Sequence, residues 1–132
     1  MQTTKATAQL AEPDFKTTLK SGIHTWHADE PASLGGQNTA PNPNELLCSA
    51  LASCTSITLR MYAKHKNWDL GTITVDVELN QPVEKTEAPF LTRKITFSHL
   101  LDDEQTLRLL KIADKCPVHK LLSASLEIRA VS

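Results

Sequence analysis

An α+β fold, with helices packed on antiparallel sheets, is the class this chain predicts. Three observations carry that prediction. Segments rich in β-branched and aromatic residues, bounded by turn residues, stand near the start and again in the second half. Between them lies a capped helix whose stretch from Leu46 to Leu59 has no charge. Two further helix starts, at Asp102 and at Cys116, follow the second group of strands.

Taken in order, Lys5 to Leu10 and Phe15 to Leu19 read as short strands, separated by the turn at Pro13-Asp14. Ser21-Gly22 marks another turn, and Ile23 to Ala28 suits a third strand, so the first 28 residues predict an antiparallel meander. Asp29 to Pro43 holds Pro31, Gly35-Gly36, Asn38, Pro41 and Pro43, a long breaker-rich loop of the kind that often serves function. Asn42 is a good N-cap, Pro43 fits the first helical position and Glu45 the third, as in a capping box. The helix should run to about Lys66, with Asn67 ending it. Because Leu46 to Leu59 is apolar or small all the way round, it should be buried over most of its circumference. A chain of 132 residues can barely wrap such a helix, so a second subunit is expected to help cover it.

Thr72 to Leu79 alternates cleanly, with Ile73, Val75, Val77 and Leu79 on one face. Gln81 to Pro89 reads as a polar connection, and Leu91 to Leu100 as the paired strand. Asp102 caps a helix from Asp103 to about Lys115, with Leu107, Leu110 and Ile112-Ala113 expected to face the core. Pro117 suits the first position of a short helix, which places Cys116 at its N-cap. Leu126, Ile128 and Ala130 alternate in a closing strand from Ser125 to Val131.

The length suits a single domain spanning residues 1–132. With 14 Lys+Arg against 15 Asp+Glu the net charge is −1, which argues against a nucleic-acid partner. Aromatic residues are 5%, too few for a base-stacking platform, and they leave a mostly aliphatic core. The charge-free stretch is shorter than the ~18–20 residues that span a bilayer, and no secretory-type apolar core opens the chain. A soluble cytoplasmic protein without a membrane partner is expected. Three cysteines, Cys48, Cys54 and Cys116, do not make a secreted disulfide scaffold.

Cys48 and Cys54 are six residues apart, about 240° around a helix, so those thiols point in different directions. The plausible redox pair is Cys54 with Cys116. A thiol in an apolar helix is ordinarily inert packing. Cys116 differs, because the free amides of a helix start favour a thiolate and His119 could add positive charge. Cys116-x-x-His119 is a single close pair with Pro117 inside it, whereas zinc motifs usually bring two, so no metal is expected. His24 and His27 lie on opposite faces of their strand.

Gly35-Gly36, Asn42-Pro43-Asn44-Glu45-Leu46, Ala52-Ser53-Cys54-Thr55 and Cys116-Pro117-Val118 together resemble the OsmC/Ohr family of osmotically inducible and organic-hydroperoxide-resistance proteins. The resemblance runs from the early strands to Val131 and is nearest to the broader OsmC-like branch, through Leu59 to Ala63 and Ala113 to His119. It implies an α+β intertwined homodimer, its sheets wrapped around long central buried helices. It also implies thiol-dependent reduction of organic hydroperoxides, with Cys54 as the attacking residue and Cys116 as the resolving one. No cofactor is implied beyond an external dithiol, such as one of lipoyl type, that resets the pair.

One departure stands out. The well-characterised peroxidases of the family carry a Glu directly after the Asn-Pro of the helix start, paired with an earlier Arg. Here Asn44 takes that place, Glu45 follows one step later, and no Arg precedes Arg60. The activating ion pair is therefore missing or rebuilt, with His24, His27, Arg60, Arg93 and His119 as the candidates. The alternative function is a non-catalytic or weakly catalytic OsmC-like protein that binds a small molecule or senses redox state.

Overall fold

The computed structural model describes Met1–Val131. The chain forms two compact units, Met1–Leu47 and the remainder from Cys48. The fold is α+β, with two antiparallel sheets and three α-helices.

In the first unit, β1 (Thr7–Leu10), β2 (Thr17–Ser21) and β3 (His24–Ala28) form the expected antiparallel meander in the order β1-β2-β3. Thr7 pairs with Lys20, and Thr17 with Ala28. A two-residue turn, Gly22-Ile23, joins β2 to β3, with Gly22 at φ +58 where a side chain would be strained. The loop after β3 is pinned rather than loose. The buried Asp29 carboxylate accepts the Glu30 N–H (2.8 Å), the Thr39 N–H (3.1 Å) and the Thr39 hydroxyl (2.7 Å). These bonds, the Thr39 hydroxyl foremost, hold the Asp29 carboxyl below the usual carboxylate range.

Helix α1 (Pro43–Lys66) starts and stops where its sequence signals stand. Asn42 and Glu45 form the capping box: the Glu45 N–H donates to Asn42 Oδ1 (2.8 Å) and the Asn42 N–H to Glu45 Oε1 (3.0 Å). Asn67, at φ +57, ends the helix in the left-handed conformation that Asn tolerates. Lys64, His65 and Lys66 sit favourably at the negative end of the helix dipole.

In the second unit, β4 (Ile73–Asn80) pairs with β5 (Phe90–Phe97) from Ile73↔Phe97 to Asn80↔Phe90. Helix α2 (Asp103–Ala113) follows, with an Asp102–Gln105 capping box, and then α3 (Pro117–Ser123), with Cys116 at its N-cap. The core gathers Leu59 and Ala63 of α1, Leu70, and Leu109 and Ala113 of α2. Ile73, Ile95 and Phe97 close it from the sheet. Gly71, at φ +67, lets the backbone pass under Ser98 and His99, whose side chains a Cβ there would strike.

Three expectations are refined or corrected. First, the single chain alone covers α1 along one stripe only, and the burial expected with a second subunit is not tested by it. Only Leu51, Thr55, Leu59 and Ala63 are buried, one stripe at four-residue spacing, while Ala50, Ser53, Ile57 and Met61 on the other side are exposed. Second, α2 packs through Leu109, Ile112 and Ala113, leaving Leu107 and Leu110 exposed. Leu107 lies about 200° round the helix from Leu109, so one face could not bury both. Third, no strand forms over 125–131, where Leu126 and Ile128 are exposed. Alternation supplies strand propensity, but a strand needs an edge to pair with.

The phase of α2 is testable by urea unfolding. Leu109→Ala should destabilise the protein by about 2–5 kcal/mol, and Leu107→Ala by less than about 0.5 kcal/mol. Equal losses would contradict the packing, since Leu109 is 1% exposed and Leu107 62%.

Candidate active site

Helix α1 presents Cys54 and Thr55 from adjacent positions, and the start of α3 presents Cys116. Pro117 begins α3 without an N–H to lose, and the Cys116 N–H is tied to the Ala113 carbonyl (3.2 Å), so the turn between α2 and α3 sets the sulfur's position. The two side chains are hydrogen-bonded to each other. All three cysteines are free thiols; Cys116 is fully buried, while Cys54 and Cys48 are half-buried.

The surroundings divide the pair. Burial is the largest influence on Cys54, and with the bond to Cys116 it pushes the Cys54 thiol up. The Val118 N–H and the Thr58 hydroxyl oppose this only in part. Burial also opposes ionisation of Cys116, but it is outweighed there. The Cys54 thiol, the His119 and Val118 amides and the Thr55 hydroxyl all bond to that sulfur and hold its pKa below the ordinary thiol range. The two thiols are thus shifted in opposite directions, Cys54 up and Cys116 down. His119 contributes through its backbone amide, while its ring Nδ1 faces Arg93 Nη1 at 3.2 Å. A guanidinium only donates, so that nitrogen is the acceptor.

Arg93 comes from β5. Its Nη1 also lies 3.2 Å from Thr55 Oγ1, and its Nη2 3.0 Å from Asp114 Oδ1. Beside it opens a cavity of about 500 Å³ lined by Leu51, Leu79, Leu91 and Leu122, with Arg93 and His119 among its polar groups. Neither cysteine lines that cavity; Arg93 and His119 belong to both it and the hydrogen-bonded cluster around the thiols.

The other residues named from sequence have different partners. Glu45 serves the α1 cap beside Asn44. Arg60 donates to the Gly71 carbonyl, fastening α1 to the start of β4. His24 and His27 are exposed on β3. Among the described residues, no group of three or more His, Cys, Asp or Glu side chains gathers as a metal site. Thr55, Thr58 and Asp114 went unread in the sequence. Arg93 was only one of several candidates in the sequence; the signal that singles it out is its register with Leu91, Ile95 and Phe97 on the inward face of its strand.

The upward shift of Cys54 predicts the pH profile of its alkylation by iodoacetamide, read by peptide mass. Its midpoint should lie above the ordinary thiol value of about 8.5 and should fall in Cys116→Ala, which removes the neighbouring sulfur that helps to raise it. A midpoint that rises or stays fixed in Cys116→Ala would contradict the influence of Cys116 on Cys54.

The OsmC-like protein family model matches residues 36–130. No match is found among curated proteins. Among solved structures, a Psychrobacter arcticus protein linked to osmotic stress and detoxification is 26% identical, with TM-score 0.71 over 92% of this chain and 88% of its own. An OsmC-like protein from Mycoplasma pneumoniae shares the fold at 19% identity and TM-score 0.72, over 92% of this chain and 87% of its own. The organic hydroperoxide resistance protein OhrB of Bacillus subtilis shares it at 24% identity and TM-score 0.64, over 92% and 91%. Since the family match runs unbroken from the Gly36 loop through Cys54 and Cys116 to Ala130, the chain belongs to the OsmC-like protein family.

Proposed function

We propose that this protein reduces organic hydroperoxides to alcohols through Cys54 and Cys116, as a cytoplasmic homodimer reset by an external dithiol. The observation that carries the reading is the pairing of the half-buried Cys54 with the buried Cys116 beside the Arg93 cluster. The apolar cavity beside the Arg93 cluster suits an alkyl or aryl hydroperoxide. Names of fold relatives, OhrB of Bacillus subtilis among them, point the same way.

The chemistry follows from where the proton sits. Attack needs Cys54, the more accessible sulfur, as the thiolate, with the proton of the pair on Cys116. Cys54 attacks the terminal oxygen of ROOH; an S–O bond forms, the O–O bond breaks, and RO⁻ leaves. RO⁻ takes the proton from Cys116, giving ROH and leaving the Cys116 thiolate. That thiolate attacks the Cys54 sulfenic sulfur, forming the disulfide and expelling hydroxide, which solvent protonates to water. Two electrons pass from the sulfurs to the peroxide, and a dithiol returns them by exchange.

Homodimer formation is supported by the exposed stripe of Ala50, Ser53, Ile57 and Met61 along α1. A second copy would remove this small and apolar surface from water. Light scattering should give twice 14.6 kDa, and a monomer would refute the dimer.

Activity is tested with cumene hydroperoxide and either dihydrolipoamide or dithiothreitol. Peroxide loss should fall to the dithiol background in Cys54→Ser. One equivalent of peroxide should lower the intact mass by two hydrogens in the unaltered protein, and Cys116→Ser should give no Cys54 disulfide to that position. Equal turnover by the unaltered protein and Cys54→Ser would sink the peroxidase reading and favour a binding or redox-sensing protein.

A further inference from the structure

Arg93 stands on the apolar face of β5, in register with Leu91, Ile95 and Phe97, and its side chain is 13% exposed. A guanidinium has five N–H groups and no acceptor. Three of them have partners here: Nη1 donates to Thr55 Oγ1 and His119 Nδ1, both at 3.2 Å, and Nη2 to Asp114 Oδ1 at 3.0 Å. The Nε–H and one Nη2 hydrogen have no partner among the described residues. His119 accepts at Nδ1, so its own ring N–H stands on Nε2, which is likewise unpartnered among them. Among the described residues no sealed-in side-chain nitrogen lacks a partner, so these donors face open space.

Both side chains line the cavity of about 500 Å³ already described. Leu51, Leu79, Leu91 and Leu122 supply most of its apolar wall, and Ser123 spends its hydroxyl proton on the His119 carbonyl (2.7 Å). Among the described residues, no carboxylate lines it. Asp114, the anion on Arg93, has a side chain 65% exposed and lies outside the lining, so its charge is shared with water. An aliphatic chamber thus has one polar corner, which offers positive charge and open donors. A group that only accepts and carries a single negative charge matches that corner. A carboxylate does both, and the planar guanidinium suits its two oxygens. A neutral alcohol of the same length would leave the charge uncompensated.

We propose that this cavity binds a small apolar monocarboxylate, its hydrocarbon body among the leucines and its carboxylate on Arg93 and His119. The volume and the mix of apolar wall with a few convergent donors are those of a small-molecule site. Binding of this kind uses neither thiol, so it does not rest on the peroxidase reading above. On that reading, the acid fills the chamber that serves an alkyl or aryl hydroperoxide and competes with it.

The test is isothermal titration calorimetry of the reduced full-length protein without peroxide. Octanoate is the probe; octan-1-ol supplies the tail without the charge, and acetate the charge without the tail. Octanoate should bind about tenfold or more tighter than octan-1-ol, as one charge-assisted hydrogen bond warrants, and acetate should give no saturable heat. Arg93→Met should cost octanoate about tenfold and leave octan-1-ol within about twofold. Arg93→Lys, which keeps the charge, should retain part of the preference. Leu122→Trp, which fills the chamber, should weaken both probes. Absent octanoate binding, equal affinity for octanoate and octan-1-ol, or unchanged octanoate affinity in Arg93→Met would overturn the proposal. Unchanged affinity in Leu122→Trp would overturn its place in this cavity. Should Arg93→Met fail to fold, Arg93→Gln is read by the same criterion. Octanoate binding without any turnover of cumene hydroperoxide would uphold the site and remove the peroxidase reading; turnover without octanoate binding would do the reverse. Where both hold, octanoate should raise the KM for cumene hydroperoxide and leave kcat unchanged, and an unmoved KM would overturn the competition.

Discussion

Leu51, Thr55, Leu59 and Ala63 form the single ridge by which α1 is buried, and the domain hangs from it. At one end the ridge meets Leu70, Leu109 and Ala113 in a close-packed aliphatic core. At the other it carries Thr55, a residue that burial would penalise without partners. The same face that seats the core therefore requires a polar cluster one turn away, and Arg93 and Cys116 meet that requirement. Core and site are two ends of one packing surface. A shift of α1 that loosened Leu59 would also move Thr55 and Cys54, because a helix transmits displacement along its length.

Much of this was legible in the sequence because it depends on local chemistry. The Asn42–Glu45 cap, the Asn67 stop, the Asp102 cap and the Pro117 start all depend on residues within a few positions of one another, and each stands where its signal placed it. The clean alternation of Ile73 to Leu79 likewise fixed the inward face of β4. What was not legible depends on what lies across the gap. Leu107 and Leu109 are chemically identical, and only the partners of α2 decide which is buried. Leu126 and Ile128 alternate as a strand should, but a strand is a property of two segments. Thr55 reads as an ordinary helix residue until the guanidinium 38 positions later is brought against it.

Electrostatics explains why the two cysteines are not equivalent. Two thiolates side by side in an apolar setting repel, so the first to ionise opposes the second. The donors around the two sulfurs differ. Cys116 collects the Cys54 thiol, two backbone amides and a hydroxyl, whereas Cys54 has one amide, one hydroxyl and a charged neighbour working against it. Glu45, one position along from the expected place, is occupied with the helix cap.

The donors around Cys116 also bear on redox poise. Hydrogen bonds to a thiolate stabilise the reduced form alone, for a disulfide sulfur carries no charge to receive them. In the proposed cycle, every donor aimed at Cys116 would therefore raise the reduction potential of a Cys54–Cys116 couple and make its disulfide a stronger oxidant. A disulfide of that kind would be given up readily, to a dithiol of modest reducing power.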